Sequence, residues 1–181
     1  MKKLLYFLTL IIISNYASAQ KTGTPQQINA KRNTKGDLVG IVNKASFSIA
    51  PYTSWFSENY AFYTPEPSVI NALKKELKGV TIKAFMGTWC VDSKEHTPVF
   101  YKIVEAADFD EDNIQMIAVN RSKKTPDNLQ KGYNIIRVPT FIFYKKEKEI
   151  GRFVEYPRET VEADLLKIVS GAGYKHSYED N

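Results

Sequence analysis

The chain's single cysteine, Cys90, lies in Gly87-Thr88-Trp89-Cys90-Val91-Asp92-Ser93. That stretch follows a strand-like run, Val80 to Phe85, and opens a helix-like run from Val91 to about Ala107. A thiol at the first turn of a helix is placed for chemistry. The unpaired amides and the dipole of the helix favour its thiolate, which is the reactive form. Any disulfide at Cys90 must involve a second molecule, because no other cysteine exists to close a bridge.

The neighbours set how acidic the thiol is expected to be. A free cysteine titrates near ~8.5. A helix start stabilises an anion by about 0.3–2 kcal/mol. Asp92 opposes ionisation and Lys94, one turn on from Cys90, supports it. The balance predicts a modestly acidic thiol, substantially ionised near neutral pH. Ser93, one turn from Cys90, can donate a hydrogen bond to the thiolate. His96 lies six residues past Cys90, where a helix turns it to another side, and reads as a packing or surface residue. Cys90, His96 and His176 lack zinc-site spacing, so neither a metal nor a cofactor is expected.

The flanking residues must form the elements that hold this turn. Thr64-Pro65-Glu66-Pro67 reads as a helix start, followed by Val69, Ile70, Leu73 and Leu77 at helical spacing and a stop at Gly79. Phe100, Ile103, Val104 and Ala107 mark the apolar face of the helix after Cys90. Ile114 to Val119 fits a buried strand, and Asp127 to Tyr133 a short helix. Thr140 to Tyr144 and Glu149 to Glu155 read as strands joined by a charged turn, Lys145 to Lys148. Thr160 to Ser170 is a final helix closed by Gly171. A strand-helix-strand unit followed by a hairpin predicts a mixed central sheet flanked by helices on both faces.

The first nineteen residues read as an export signal. Lys2 and Lys3 precede an apolar core, Leu4 to Ile13, and Ala17-Ser18-Ala19 fits a cleavage site. The protein is therefore expected to be exported, periplasmic or secreted, with no membrane span after cleavage. Residues 20 to about 37 are polar, and residues 20–45 read as a flexible leader. Residues 46–67 form an aromatic extension carrying Phe47, Tyr52, Trp55, Phe56, Tyr60, Phe62 and Tyr63. These rings are expected to pack on a main domain over 68–170, or to wall a groove. Residues 171–181 read as a loose polar tail. The formal net charge of +5 falls by two when Lys2 and Lys3 leave, too mild a balance for nucleic acid.

Trp89-Cys90 at the strand-to-helix turn, with Val138-Pro139-Thr140 before the hairpin, resembles the thioredoxin family. Lys94, Pro98 and Lys131-Gly132-Tyr133 match the family pattern as well. The resemblance covers roughly Ser68 to Ser170 and implies a thioredoxin-like fold. It implies that Cys90 is the catalytic thiol, with Trp89 and Ser93 beside it. It further implies a cis-proline at Pro139 facing the sulfur. Val138, Pro139 and Arg137 would then line the substrate site, with Arg137 holding an acidic substrate group or supporting the thiolate.

Two departures alter the chemistry. Ser93 stands where the family carries its second cysteine, and Ala84 stands where many members carry a buried acid. A mixed disulfide at Cys90 would have to be resolved by an external thiol, so protein or low-molecular-weight thiols and disulfides are the expected partners. The alternative left open is a non-enzymatic binding or client-trapping module built on the same fold. Oligomeric state is not encoded in any pattern found.

Overall fold

The computed structural model describes residues 27–179. The expected export signal and the start of the polar leader lie outside the described residues. The sheet is organised around the strand that precedes the cysteine. We number the strands β1 (Lys31–Arg32), β2 (Leu38–Val42), β3 (Val80–Met86), β4 (Ile114–Ala118), β5 (Thr140–Lys145) and β6 (Lys148–Val154). Their order across the sheet is β1-β2-β4-β3-β5-β6. The helices are α1 (Tyr52–Phe62), α2 (Pro67–Glu76), α3 (Val91–Ala106) and α4 (Val161–Ser170).

β3 pairs parallel with β4, and α3 makes the crossover between them. β3 pairs antiparallel with β5, setting Ala84 opposite Phe141 and Phe85 opposite Thr140. β5 and β6 form the expected hairpin. Lys146 and Glu147 at its turn both take positive φ, 51° and 63°. Two left-handed residues match the natural twist of the paired strands.

The helix ends follow local chemistry. Pro67 opens α2 at a position where its missing N–H costs nothing, and the Glu66 carboxylate accepts from the Ser68 amide at 2.8 Å. The Thr160 hydroxyl caps α4, accepting from the Ala163 amide at 3.3 Å. Gly171 ends α4 at φ 73°, where a side chain would be strained. Pro98 lies inside α3 and cannot donate to the Lys94 carbonyl one turn back. The Asn59 side chain on α1 fills that gap, donating to the Lys94 carbonyl at 3.1 Å and to the Trp55 carbonyl at 2.9 Å.

The buried side chains of all four helices join one cluster with Val80, Ile82, Ala84 and Met86 of β3. Phe100 stacks on Phe141 with ring centroids 4.3 Å apart, and Phe141 on Phe153 at 5.4 Å. The other sheet face, carrying Phe85, Ile117 and Ile142, is closed by Leu129, Tyr133, Ile135 and Val138.

On that second face one expected element differs. Residues 127–133 form successive turns instead of a short helix. Asn128, Gly132 and Asn134 all take positive φ, which breaks helical propagation. Side chains also capture the backbone here. The Gln130 carbonyl oxygen accepts from the Thr125 amide at 2.9 Å, and the Thr125 hydroxyl accepts from the Leu129 amide at 2.9 Å.

Two further expectations give way to structure. Residues 38–42, read as flexible leader, form β2, which pairs antiparallel with β4 through Gly40↔Ala118 and Val42↔Met116. Leu38 and Val42 are buried, so their apolar side chains hold the strand in place. The tail is pinned through residue 179 rather than loose. The Tyr174 hydroxyl donates to Asp164 at 3.0 Å, Ser177 to the Tyr156 carbonyl at 2.9 Å, and Tyr178 to Glu155. Among the described residues no helix is long and apolar enough to cross a membrane.

The aromatic segment packs as part of the core. Phe47 is fully buried and stacks on Phe56 at 5.3 Å, and Phe56 meets Tyr101 of α3 at 6.0 Å. Phe47→Ala is expected to lower the unfolding free energy by about 3–5 kcal/mol, seen as an earlier single transition in denaturant. Phe62→Ala, at an exposed ring, is expected to change it by less than about 0.5 kcal/mol.

Candidate functional site

β3 ends at Met86 and α3 begins at Val91, so four residues make the connection. The Cys90 amide donates to the Gly87 carbonyl at 2.9 Å and closes the turn. Gly87 is required sterically. A Cβ there would fall 2.6–2.7 Å from atoms of the Trp89 indole. The indole is in turn fixed by its N–H, which donates to the Val119 carbonyl at 2.8 Å. Arg121 lies over the same ring, 5.5 Å from its centroid. Thr88 faces the sheet, and its hydroxyl accepts from the Leu38 amide at 3.0 Å. β2 therefore braces the turn.

Cys90 is the N-cap residue of α3, with φ −90° and ψ 132°. Its sulfur is half-buried. The thiol donates toward the Val138 carbonyl at 3.2 Å and the Asp92 carboxylate at 3.5 Å. The Val138–Pro139 peptide is cis. The β3–β5 register brings this loop to the sulfur, because Phe85 opposite Thr140 aligns the residues just outside both strands. Cys90, Trp89 and Val138 share the smaller apolar cluster.

Ser93 is fully buried one turn into α3. Its hydroxyl oxygen accepts from the Gly87 amide at 3.1 Å. Its own hydrogen is then free to reach the sulfur. The amide and hydroxyl of Ser93, with the Asp92 amide, favour the thiolate. They do not prevail. Burial is the largest influence and pushes the Cys90 thiol up, with the Asp92 charge adding to it. The modestly acidic thiol expected from the helix start is therefore corrected. The helix end offers its amides, but the apolar wall of Val138 and Trp89 withholds the water that would solvate an anion.

Arg137 has partners of its own beside the proline loop. Its guanidinium pairs with Glu155 at 3.5 Å and lies over the Tyr178 ring at 5.3 Å. Glu155 follows β6, where its amide donates to the Pro139 carbonyl at 2.8 Å. Glu155 and Tyr178 thus frame the proline loop. Sequence reasoning missed both, since a carboxylate at a strand end and a tyrosine in a polar tail carry no pattern of their own. His96 is buried edge-on against Phe153, with ring centroids 6.1 Å apart, and burial lowers its pKa. It packs and does not face the sulfur. Among the described residues no group of three or more His, Cys, Asp and Glu side chains could hold a metal ion.

Comparison with known proteins agrees with this fold. The family model described as thioredoxin matches residues 52–167. The chain is 32% identical over 96 residues to a thioredoxin-like protein, R548, of Acanthamoeba polyphaga mimivirus. That match covers 53% of this chain and 67% of the viral one. Among solved structures, a protein of unknown function from Pseudomonas aeruginosa superposes with TM-score 0.51 at 17% identity. An HIV epitope-scaffold superposes with TM-score 0.55, also at 17% identity. Each covers 72% of this chain and 93% of its own, and the likeness is one of fold.

Ser93→Ala tests the inner wall of the site. It leaves the buried Gly87 amide without an acceptor, which is expected to cost about 1–3 kcal/mol in denaturant unfolding. It also removes a donor to the sulfur. The midpoint of Cys90 alkylation by iodoacetamide is then expected to move to higher pH than in the wild type.

Proposed function

The chain belongs to the thioredoxin family, and from that premise we propose that it is an exported monothiol protein exchanging thiols and disulfides at Cys90. The supporting observation is the Cys90 sulfur 3.2 Å from the Val138 carbonyl, beside Pro139. A segment entering along the proline loop meets the sulfur at once.

In the proposed cycle the Cys90 thiol loses its proton to solvent. The thiolate attacks one sulfur of a disulfide R–S–S–R′. The S–S bond breaks, a Cys90–S–S–R mixed disulfide forms, and R′–S⁻ leaves and takes up a proton. Ser93 cannot complete the cycle, because a hydroxyl is far too weakly acidic to displace a thiolate. An external thiolate R″–S⁻ attacks the R sulfur of the mixed disulfide instead, so that R–S–S–R″ forms and the Cys90 thiolate leaves. Trp89 would wall one side of the entry, and Val138 and Pro139 would receive the substrate backbone. Arg137, held by Glu155, would border the same loop. Export rests on the pattern of residues 1–19, and it would place the thiol where protein disulfides are common.

A second reading, client trapping without turnover, is favoured by one feature. Val91 is 73% exposed, and Ile136 and Tyr156 are also exposed on the residues flanking the site. Apolar side chains around an unresolvable mixed disulfide suit retention.

A turnover assay separates the two. Incubation with a small-molecule mixed disulfide of glutathione, in excess reduced glutathione, is expected to show catalysed reduction by the wild type and only the background rate with Cys90→Ser. Equal rates in both would remove the exchange function. A Cys90-linked partner that accumulates and is not released by glutathione would favour trapping.

A further inference from the structure

The Cys90 sulfur carries one hydrogen and faces two oxygen acceptors. One is the Val138 carbonyl at 3.2 Å and the other the Asp92 carboxylate at 3.5 Å. Both interactions favour S–H and oppose S⁻. The carbonyl is neutral and part of the backbone. The carboxylate is a charged side chain, and Asp92 is half-buried at the mouth of the turn.

We propose that Asp92 is a positioning residue that restrains Cys90, holding it as the thiol until an incoming partner engages the carboxylate and frees the sulfur to ionise. This rests on the exchange function proposed above and adds its regulation. The restraint is built from the same short segment as the site. Asp92 lies in the first turn of α3, beside the free amides of the helix start. A partner presenting a backbone N–H or a cation to Asp92 would satisfy the carboxylate and remove its repulsion of the developing thiolate. The proton then leaves to solvent, and no redox step is involved.

Other charges surround the thiol, and none of them replaces Asp92. On α3, Lys94 is half-buried with its amide on the Cys90 carbonyl at 3.1 Å, Glu95 is exposed, and His96 is buried with its pKa lowered, hence neutral near pH 7. After β6, Glu155 is pushed up by burial and then by Asp92, while Arg137 and Lys123 pull it back. The Tyr178 hydroxyl donates to Glu155, and Arg121 lies over Trp89. Asp92 is the charged side chain bonded to the sulfur.

The test is the pH dependence of Cys90 alkylation by uncharged iodoacetamide, on the full protein. Asp92→Asn keeps the shape and removes the charge. Its midpoint is expected to fall by about one pH unit, and the rate at pH 7 to rise roughly 3–10-fold. Asp92→Ala brings no new donor to the sulfur and is expected to shift in the same direction. Asp92→Glu restores a carboxylate and is expected to move back toward the wild-type profile. A wild-type thiol that reacts, with a midpoint that Asn and Ala leave in place or raise, overturns the restraint alone. A sulfur that no alkylating reagent reaches at any pH overturns the exchange function and the restraint together.

Discussion

The turn between β3 and α3 is the constraint on which the rest depends. Its four residues leave little slack, and each hydrogen bond removes some of what remains. The Cys90 amide is tied to the Gly87 carbonyl and the Gly87 amide to the Ser93 hydroxyl. The Trp89 indole is tied to the end of β4 and the Thr88 hydroxyl to the start of β2. The sulfur is thereby fixed relative to two neighbouring strands. The proline loop arrives from a third, because β5 pairs with β3 in a register that brings Val138 alongside. One sulfur atom is thus positioned by β2, β3, β4 and β5 together.

The same logic explains the N-terminal elements. A proline within α3 leaves one carbonyl without its helical partner, and α1 supplies an asparagine to satisfy it. The aromatic rings between Phe47 and Tyr60 bury the outer side of α3 against that contact. β2 extends the sheet beyond β4 and reaches the Thr88 hydroxyl. These additions stiffen the helix that carries the cysteine at one end.

Much of this was legible in the chain because it follows periodic apolar patterns. The strands around Phe85, Ile117 and Ile142 and the helices ending at Gly79 and Gly171 show in spacing alone. The place of Cys90 at a helix start also shows, since a strand-like run precedes it and an amphipathic run follows. What escaped was set by contacts between distant residues. β2 is a short apolar run, Leu38 to Val42, set between polar flanks, and its burial at Leu38 and Val42 comes from pairing with the distant β4. The segment over 127–133 reads as a short helix, but the Thr125 hydroxyl takes the Leu129 amide and the Gln130 side chain folds back on the Thr125 amide. The acidity of Cys90 was misjudged for a related reason. Helix position is local and readable, whereas the wall that excludes water comes from Val138, 48 residues away. Glu155 and Tyr178 join the site only through folding.

Ser93 in place of a second thiol has a consequence for what the oxidised protein is. A dithiol relative stores oxidation within itself and looks nearly the same before and after. This chain has one sulfur of that kind. Under the proposed exchange each oxidised copy would be chemically individual, wearing a piece of whatever it last met, and a population of them would be a record of its surroundings.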